Sequence, residues 1–131
     1  MAKLVHIMLR VLQETRSVQF YKVGFGLEIA KRLDFDKFTL IYLSNSENSL
    51  ELELTVNKDQ ETAYDLGNGY GHLAFVVDDL AAKHSEFVSA GYKPRDIVDF
   101  NHNGELLARF FFVQDPDGYE IEVMQRHGRY Q

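Results

Sequence analysis

The 131-residue chain has 45% hydrophobic and 26% charged residues, a balance typical of a folded globular domain and unlike that of a disordered segment. Its formal net charge is −6 and its basic residues are scattered, which argues against nucleic acid as a partner because neutralising phosphates requires a clustered basic face. The absence of cysteine excludes disulfides, thiolate nucleophiles and cysteine-ligated metal sites, so a bound metal must be held by histidine and carboxylate ligands.

The first half of the chain predicts the order β-α-β-β-β. The predicted elements are a strand at 4–11, a helix that begins near residue 15, two paired strands at 27–33 and 37–43, and a strand at 50–56. Gly24 and Gly26 follow the helix and can stop it. Alternation in the first strand places His6 and Arg10 on one face, and alternation in the last strand places Glu53 on the polar face.

The second half predicts the same order. A strand at 72–77 leads into a helix capped by Asp78 or Asp79 and closed by Gly91, and three strands follow at 97–100, 106–113 and 119–124. Polar turns are predicted at 101–104 and 115–118. We therefore predict one domain built from a module at 1–57, a linker at 58–71 and a module at 72–126. The glycines of the linker precede a strand, which is the wrong context for a phosphate-binding loop.

The two halves form an internal repeat that carries chemistry. The pattern around His6 recurs around His72, and each histidine is followed about fifty residues later by a strand glutamate, Glu53 or Glu122. A single strand histidine or glutamate is most often a core or solvated residue. Two of each at matching places are what a divalent first-row metal requires, since imidazole and carboxylate suit such ions. Four ligands on an octahedral ion leave two positions open for a bidentate substrate.

Several motifs resemble the glyoxalase I (lactoylglutathione lyase) family of the vicinal oxygen chelate superfamily. The motifs are His6-Ile7-Met8-Leu9-Arg10-Val11, Ser17-Val18-Gln19-Phe20-Tyr21, Glu53-Leu54-Thr55-Val56-Asn57, Tyr70-Gly71-His72, Asp115-Pro116-Asp117-Gly118-Tyr119 and Ile121-Glu122. They extend over nearly the whole chain. The resemblance implies an α+β protein of the glyoxalase/bleomycin-resistance/dioxygenase fold, in which two βαβββ modules form open, cup-like mixed sheets.

The family resemblance also implies a reaction and an assembly. It implies isomerisation of the hemithioacetal of methylglyoxal and glutathione to S-lactoylglutathione, by proton transfer through a metal-bound enediolate. The metal is expected to be nickel or cobalt, as in compact bacterial members, with zinc, manganese or iron as alternatives. A homodimer with two sites is also implied. Separately, a cytoplasmic location is expected, because no apolar run is long enough for a membrane span or a signal peptide.

Individual residue roles follow from the same resemblance. The metal ligands would be His6 and Glu53 of one chain with His72 and Glu122 of the other. Glu122 would be the principal catalytic base and Glu53 its counterpart. Arg10 and Asn57 lie on the same strand faces as His6 and Glu53, and are therefore candidate contacts for the glutathione moiety.

The chain departs from the family pattern where the thiol is expected to bind, and two other functions remain as alternatives. Val23 stands at a commonly basic place, and the loop at 99–105 has no lysine where glutathione-binding members often carry one. One alternative is another metalloenzyme of the superfamily, a thiol transferase, an epimerase or a dioxygenase. The other is a non-enzymatic drug-binding module of the bleomycin-resistance kind. Glu53 and the complete ligand set favour the lyase over both.

Overall fold

Each half of the chain folds as a strand, a helix and three further strands. The computed structural model describes all residues, 1–131, and divides into two units, Met1–Asp65 and Leu66–Gln131. The first contains β1 (His6–Arg10), α1 (Glu14–Phe25), β2 (Glu28–Asp34), β3 (Phe38–Ser44) and β4 (Glu51–Asn57). The second contains β5 (Leu73–Val77), α2 (Leu80–Ser89), β6 (Val98–His102), β7 (Glu105–Gln114) and β8 (Glu120–Gln125). Neither helix has the length and apolar character needed to cross a membrane.

The two units have the same mixed sheet. The strand order is β1-β4-β3-β2 in the first unit and β5-β8-β7-β6 in the second. The pairs β1–β4 and β5–β8 are parallel, and the other neighbouring strands are antiparallel. The predicted pair of βαβββ modules with mixed sheets is thus confirmed. The last strand of each unit, β4 or β8, lies inside the sheet, next to the first strand of that unit.

The core of the first unit lies between α1 and one face of its sheet. Side chains of β3 alternate, so that Ile41 and Leu43 are fully buried while the residues between them are half-buried. Phe20 and Tyr21 of α1 are also fully buried. Each such side chain contributes about 1.5–3 kcal/mol relative to an exposed one. The helix ends at Gly26, whose φ of 64° is left-handed and lets its backbone N–H donate to the Lys22 carbonyl.

The core of the second unit lies between α2 and its sheet. Phe87 of α2 meets Phe111 of β7 edge-on at 5.9 Å between ring centroids, and both residues are buried. Asp79 is the cap of α2, because its carboxylate accepts from the backbone N–H of Ala82 at 3.0 Å. The opposite faces carry both polar and aromatic side chains, among them Glu53 and Tyr42 in the first unit and Glu122 and Phe112 in the second.

Several element boundaries differ from the sequence predictions; Gly24, for example, lies inside α1, which is capped by Gly26. The predicted turn at 101–104 is shorter, since β6 continues to His102, which pairs with Glu105. Asn103 and Gly104 alone form the turn, with φ of 51° and 78°, and Asn-Gly is the pair that tolerates positive φ at both central positions of a tight hairpin. β5 begins at Leu73, so the predicted strand start at His72 is one residue too early.

Candidate functional site

In the first unit, Glu53 lies at the centre of the sheet on the face opposite α1. It pairs with Met8 of β1 on one side and Tyr42 of β3 on the other. Its neighbours on β4, Leu52 and Leu54, point to the core, and so period-two alternation directs Glu53 away from it. Glu53 is nevertheless only 8% exposed. A carboxylate this well covered requires polar partners to offset its loss of hydration.

His6 is the first of those partners. Its Nε2 lies 2.9 Å from Oε2 of Glu53, and its side chain is 42% exposed. His6 stands two residues before Met8, the residue that pairs with Glu53, and therefore lies on the same face of the sheet. The imidazole meets the Tyr42 ring edge-on at 5.9 Å between centroids.

The second unit contains the same arrangement. Glu122 of β8 pairs with Ala74 of β5 and Phe112 of β7. Nε2 of His72 lies 3.0 Å from Oε2 of Glu122, and the imidazole is again about half-exposed while the carboxylate is largely covered. His72 meets the Phe112 ring edge-on at 5.2 Å. The structure thus brings the four candidate ligands together as two pairs, one in each unit.

The spacing within each pair fits neighbouring ligands on an octahedral ion. With metal–ligand bonds of about 2.1 Å, adjacent ligand atoms of an octahedron lie about 3.0 Å apart and those of a tetrahedron about 3.4 Å. The observed separations of 2.9 and 3.0 Å match the first value, and they are also the length of an N–H···O hydrogen bond between the two groups. No three or more His, Asp and Glu side chains are grouped so that they could hold a metal ion, so each unit supplies two donors.

Turns with internal hydrogen bonds lead into the strands that carry the glutamates. Before β8, the buried carboxylate of Asp115 accepts from the backbone N–H groups of Asp117 and Tyr119, at 2.9 and 3.0 Å. Before β4, the side chain of Asn45 donates to the Phe25 carbonyl at 2.9 Å and accepts from the backbone N–H of Glu47. These contacts order the segments that precede the two strands.

The candidate thiol contacts occupy the far ends of their strands. Arg10 is the exposed last residue of β1, opposite Thr55 of β4. Asn57 is the last residue of β4, and its side-chain amide donates to the Tyr64 hydroxyl at 3.1 Å. Both lie on the sheet face that carries His6 and Glu53, by the same alternation.

Tyr42 is a site residue that the sequence prediction missed. Burial, followed by the charge of Glu53 and a hydrogen bond to it, raises the pKa of the Tyr42 phenol. The phenol thus remains protonated at neutral pH, next to Glu53 on the neighbouring strand. Periodicity did not identify it, because Leu40, Ile41, Tyr42 and Leu43 form an apolar run with no distinction between faces.

Arg95 is a second residue near the site that no pattern in the sequence identifies. It follows α2 in an irregular segment, and its guanidinium lies 5.2 Å from the Phe112 ring centroid. It also forms an ion pair of 2.8 Å with Glu120, two residues before Glu122. Burial tends to raise the pKa of Glu120, but hydrogen bonds from Gln114 and Arg95 outweigh burial and lower it. Glu120, a neighbour of the His72–Glu122 pair in the sequence, therefore has its negative charge balanced by Arg95.

Comparison with known proteins places this geometry in a family. A sequence model described as the Glyoxalase/Bleomycin resistance protein/Dioxygenase superfamily matches residues 3–123. A protein of Neisseria meningitidis named lactoylglutathione lyase is 40% identical over 130 residues, which are 95% of this chain and 91% of that protein. The Salmonella typhimurium protein of the same name is 34% identical over 129 residues, covering 94% and 92%.

Solved structures give the same result. The trypanothione-dependent glyoxalase I of Leishmania major superposes with a TM-score of 0.76 at 31% identity, covering 95% of this chain and 87% of that one. Glyoxalase I of Zea mays superposes with a TM-score of 0.84 at 30% identity, covering 96% of this chain and 45% of that one. The resemblance seen in the motifs is confirmed, and the chain belongs to the glyoxalase/bleomycin resistance protein/dioxygenase superfamily.

Proposed function

We propose that this chain is a metal-dependent lactoylglutathione lyase, which converts the hemithioacetal of methylglyoxal and glutathione to S-lactoylglutathione. The observation that carries the proposal is the duplicated His–Glu pair, His6 with Glu53 and His72 with Glu122, at matching places in the two units. The names of relatives that are 34–40% identical over more than nine-tenths of the chain support it. A drug-binding module has no use for two such pairs.

His6, Glu53, His72 and Glu122 are the residues that would hold the metal. Two imidazole nitrogens and two carboxylates suit nickel or cobalt, which we favour, and also zinc, manganese or iron. When bound, a divalent ion supplies Lewis-acid stabilisation of the negative charge that develops on the two neighbouring substrate oxygens. The half-exposed imidazoles leave the substrate side of each pair open to solvent.

Glu122 is the residue to which we assign proton transfer. The reaction moves one proton from C1 of the hemithioacetal to C2, with the hydroxyl and carbonyl exchanging places, and consumes no proton overall. A carboxylate that takes the proton from C1 can return it to C2. The side chains of Glu122 and Glu53 are only 13% and 10% exposed, which favours proton transfer without loss to water, and the family resemblance is the reason for choosing Glu122 as the principal base. Glu53 is the counterpart for the opposite enantiomer.

A homodimer with two shared sites accounts for the division of the ligands. Each unit offers two donors, which are too few for a near-octahedral centre on their own. We propose that His6 and Glu53 of one protomer face His72 and Glu122 of the partner subunit. A closed two-fold arrangement then creates two identical sites. The enzyme would act in the cytoplasm, where glutathione is kept reduced.

Arg10 and Asn57 are the residues we propose for contact with the thiol half of the substrate. Arg10 supplies a fixed positive charge for a carboxylate, and Asn57 supplies an amide that pairs with peptide groups. The solved relative from Leishmania major is described as trypanothione-dependent, so the thiol requires a direct test.

The test compares hemithioacetals of methylglyoxal made with glutathione, trypanothione and a simple thiol, using the metal-reconstituted protein. We expect the largest kcat/KM with glutathione. The Arg10→Met variant should raise KM for glutathione hemithioacetal and leave the simple thiol unaffected, because the simple thiol has no carboxylate for Arg10 to contact. Equal kcat/KM for all three thiols would contradict a glutathione site, and no thioester formation with any thiol would contradict the lyase function.

A further inference from the structure

The two histidines of the repeat are held differently by the backbone. His6 is the first residue of β1 and pairs with Glu51 of β4. In the second unit, the register of β5 with β8 begins at Leu73, one residue after the histidine. His72 therefore lies just outside the paired strand, although its imidazole is 3.0 Å from Glu122. Contacts other than strand pairing are needed to keep it there.

The residue that precedes His72 increases this need. Gly71 is exposed, and a Cβ at its position would have nothing within 4 Å. Glycine has more backbone freedom than any other residue, so an anchor is required on its far side. The matching residue of the first unit, Val5, is β-branched, and its carbonyl accepts from the backbone N–H of Glu51 at 3.0 Å.

Tyr70 supplies an anchor on the far side of the glycine. Its hydroxyl donates to the backbone carbonyl of Glu120 at 3.1 Å. Glu120 is the first residue of β8, as Glu51 is the first residue of β4, and so the two hold matching places in the units. A side-chain hydrogen bond in the second unit thus stands where strand pairing of His6 stands in the first.

The ring of Tyr70 rests on an ordered turn. It meets the ring of Tyr119 edge-on at 5.2 Å between centroids, and Tyr119 is buried. The Asp115 carboxylate accepts from the backbone N–H of Tyr119 at 3.0 Å, and the Asp115 N–H donates to the Tyr119 carbonyl at 2.9 Å. Cδ1 of Leu66 lies 3.6 Å from the position of a Cβ on Gly118. The chain from Leu66 to Tyr70 is therefore docked on this turn at both ends.

We infer that Tyr70 is a positioning residue for His72, because its hydroxyl and ring anchor the chain across Gly71 and keep the imidazole beside Glu122. The inference deepens the proposed function and rests on it for the metal that His72 would bind. The anchoring belongs to the second unit alone and can be measured without metal or substrate.

The first experiment follows hydrogen exchange of the metal-free protein by mass spectrometry. Tyr70→Phe keeps the ring and removes the hydroxyl. We expect the backbone amides around His72 to exchange about three- to tenfold faster, the range given by the loss of one net hydrogen bond, while those of β1 are unchanged. Tyr92→Phe, in a tyrosine that packs on Phe87, is the matched control. Unchanged exchange around His72 in Tyr70→Phe would overturn the inference.

The second experiment measures Ni²⁺ affinity by competition with a chromophoric chelator. Tyr70→Phe should lower the affinity about three- to tenfold, and Tyr70→Ala, which also loses the ring contact, about 10- to 100-fold. If Tyr70 acts through the imidazole, Tyr70→Phe should add little to the loss caused by His72→Ala. Additive losses in this double-mutant cycle would overturn the inference.

A rescue variant tests the part played by the glycine. Position 71 is open and has no left-handed φ, so Gly71→Ala should fit and should restrict the backbone. Added to Tyr70→Phe, it should slow exchange around His72 and restore part of the Ni²⁺ affinity, and a failure to do either would contradict anchoring across Gly71. Faster exchange in Tyr70→Phe, together with an unmodified protein that binds no metal, would support the anchor and reject the lyase function.

Discussion

The carboxylate of Glu122 lies 3.0 Å from Nε2 of His72, although His72 precedes the first strand of the second unit and Glu122 lies in its last strand. The parallel pairing of β5 with β8 produces this proximity, because it places Ala74 beside Glu122 and His72 two residues earlier on the same face. The first unit repeats the relationship with His6 and Glu53. The same parallel strand pairing thus brings one imidazole and one carboxylate together in each unit.

Glu122→Gln is expected to separate proton transfer from metal binding. The amide keeps the size and one coordinating oxygen of the carboxylate but removes its basicity. We predict that kcat falls by about 10²- to 10⁴-fold or more, with a modest change in KM, while metal remains bound. Glu53→Gln should reduce kcat less. Initial rates and metal content measured on the same preparations check both values, and a dead Glu53→Gln beside a near-normal Glu122→Gln would reverse the two roles.

Mixing two inactive variants tests whether the site is shared between protomers. His6→Ala and His72→Ala should each be inactive, since each removes a ligand from both sites of a homodimer. In a heterodimer of the two, one site carries both lesions and the other carries neither. We therefore expect partial recovery of activity after subunit exchange. The proportion of heterodimer is measured by native mass spectrometry, and heterodimers without activity would show that each chain builds its own site.

Phe111 is expected to be the most costly apolar residue to truncate near α2. It is fully buried and contacts Phe87 and His84 edge-on. Phe111→Ala should reduce the free energy of unfolding by about 3–5 kcal/mol, through lost transfer energy and an unfilled cavity. Phe100→Ala, at a position that is 52% exposed, should change it by less than about 0.5–1 kcal/mol. Urea unfolding followed by circular dichroism compares the two, and similar losses would contradict the placement of the core.

The ion pair of Asp34 with Lys58 should stabilise the protein at neutral pH and not in acid. A hydrogen bond from Lys58, and then one from Thr39, lowers the pKa of Asp34. A carboxylate with a depressed pKa in the folded state contributes stability above its ordinary pKa of about 3.9, and loses it as the pH falls through the folded value.

Lys58→Met should accordingly lower Tm by a few degrees at most at neutral pH, since the pair is solvent-exposed. The difference should shrink as the pH falls below the ordinary pKa of an aspartate and through the lower pKa of folded Asp34, because the carboxyl is then protonated in both states. Lys93→Met, at an exposed lysine, is the control for loss of a positive charge. A Tm difference that is the same in acid as at neutral pH would contradict the assigned role of Asp34.

The polar faces of the strands were predictable because they alternate with apolar ones. Glu53 stands between Leu52 and Leu54, and Glu122 between Ile121 and Val123, so period two alone directs both carboxylates away from the core. The repeat then made histidines at matching places conspicuous. The fold class, and which histidine lies with which glutamate, could be inferred from these local patterns together with the family motifs.

Cross-strand partners could not be predicted in the same way. The place of Tyr42 opposite Glu53 depends on the register of β3 with β4, which the hairpin between them sets and which an apolar run does not reveal. Arg95 reaches Phe112 and Glu120 from a segment without periodicity. The tight turn at Asn103 and Gly104 extended β6 beyond its expected end, because the pair accommodates positive φ at both positions.

Removal and return of the metal tests the central claim most directly. The protein is stripped with a chelator, its metal content is verified, and formation of S-lactoylglutathione from the glutathione hemithioacetal is followed before and after addition of Ni²⁺ or Co²⁺. The ligand set of His6, Glu53, His72 and Glu122 predicts that the stripped protein is inactive, and that activity returns in proportion to about one ion per site. Undiminished isomerisation by fully demetallated protein would contradict the account.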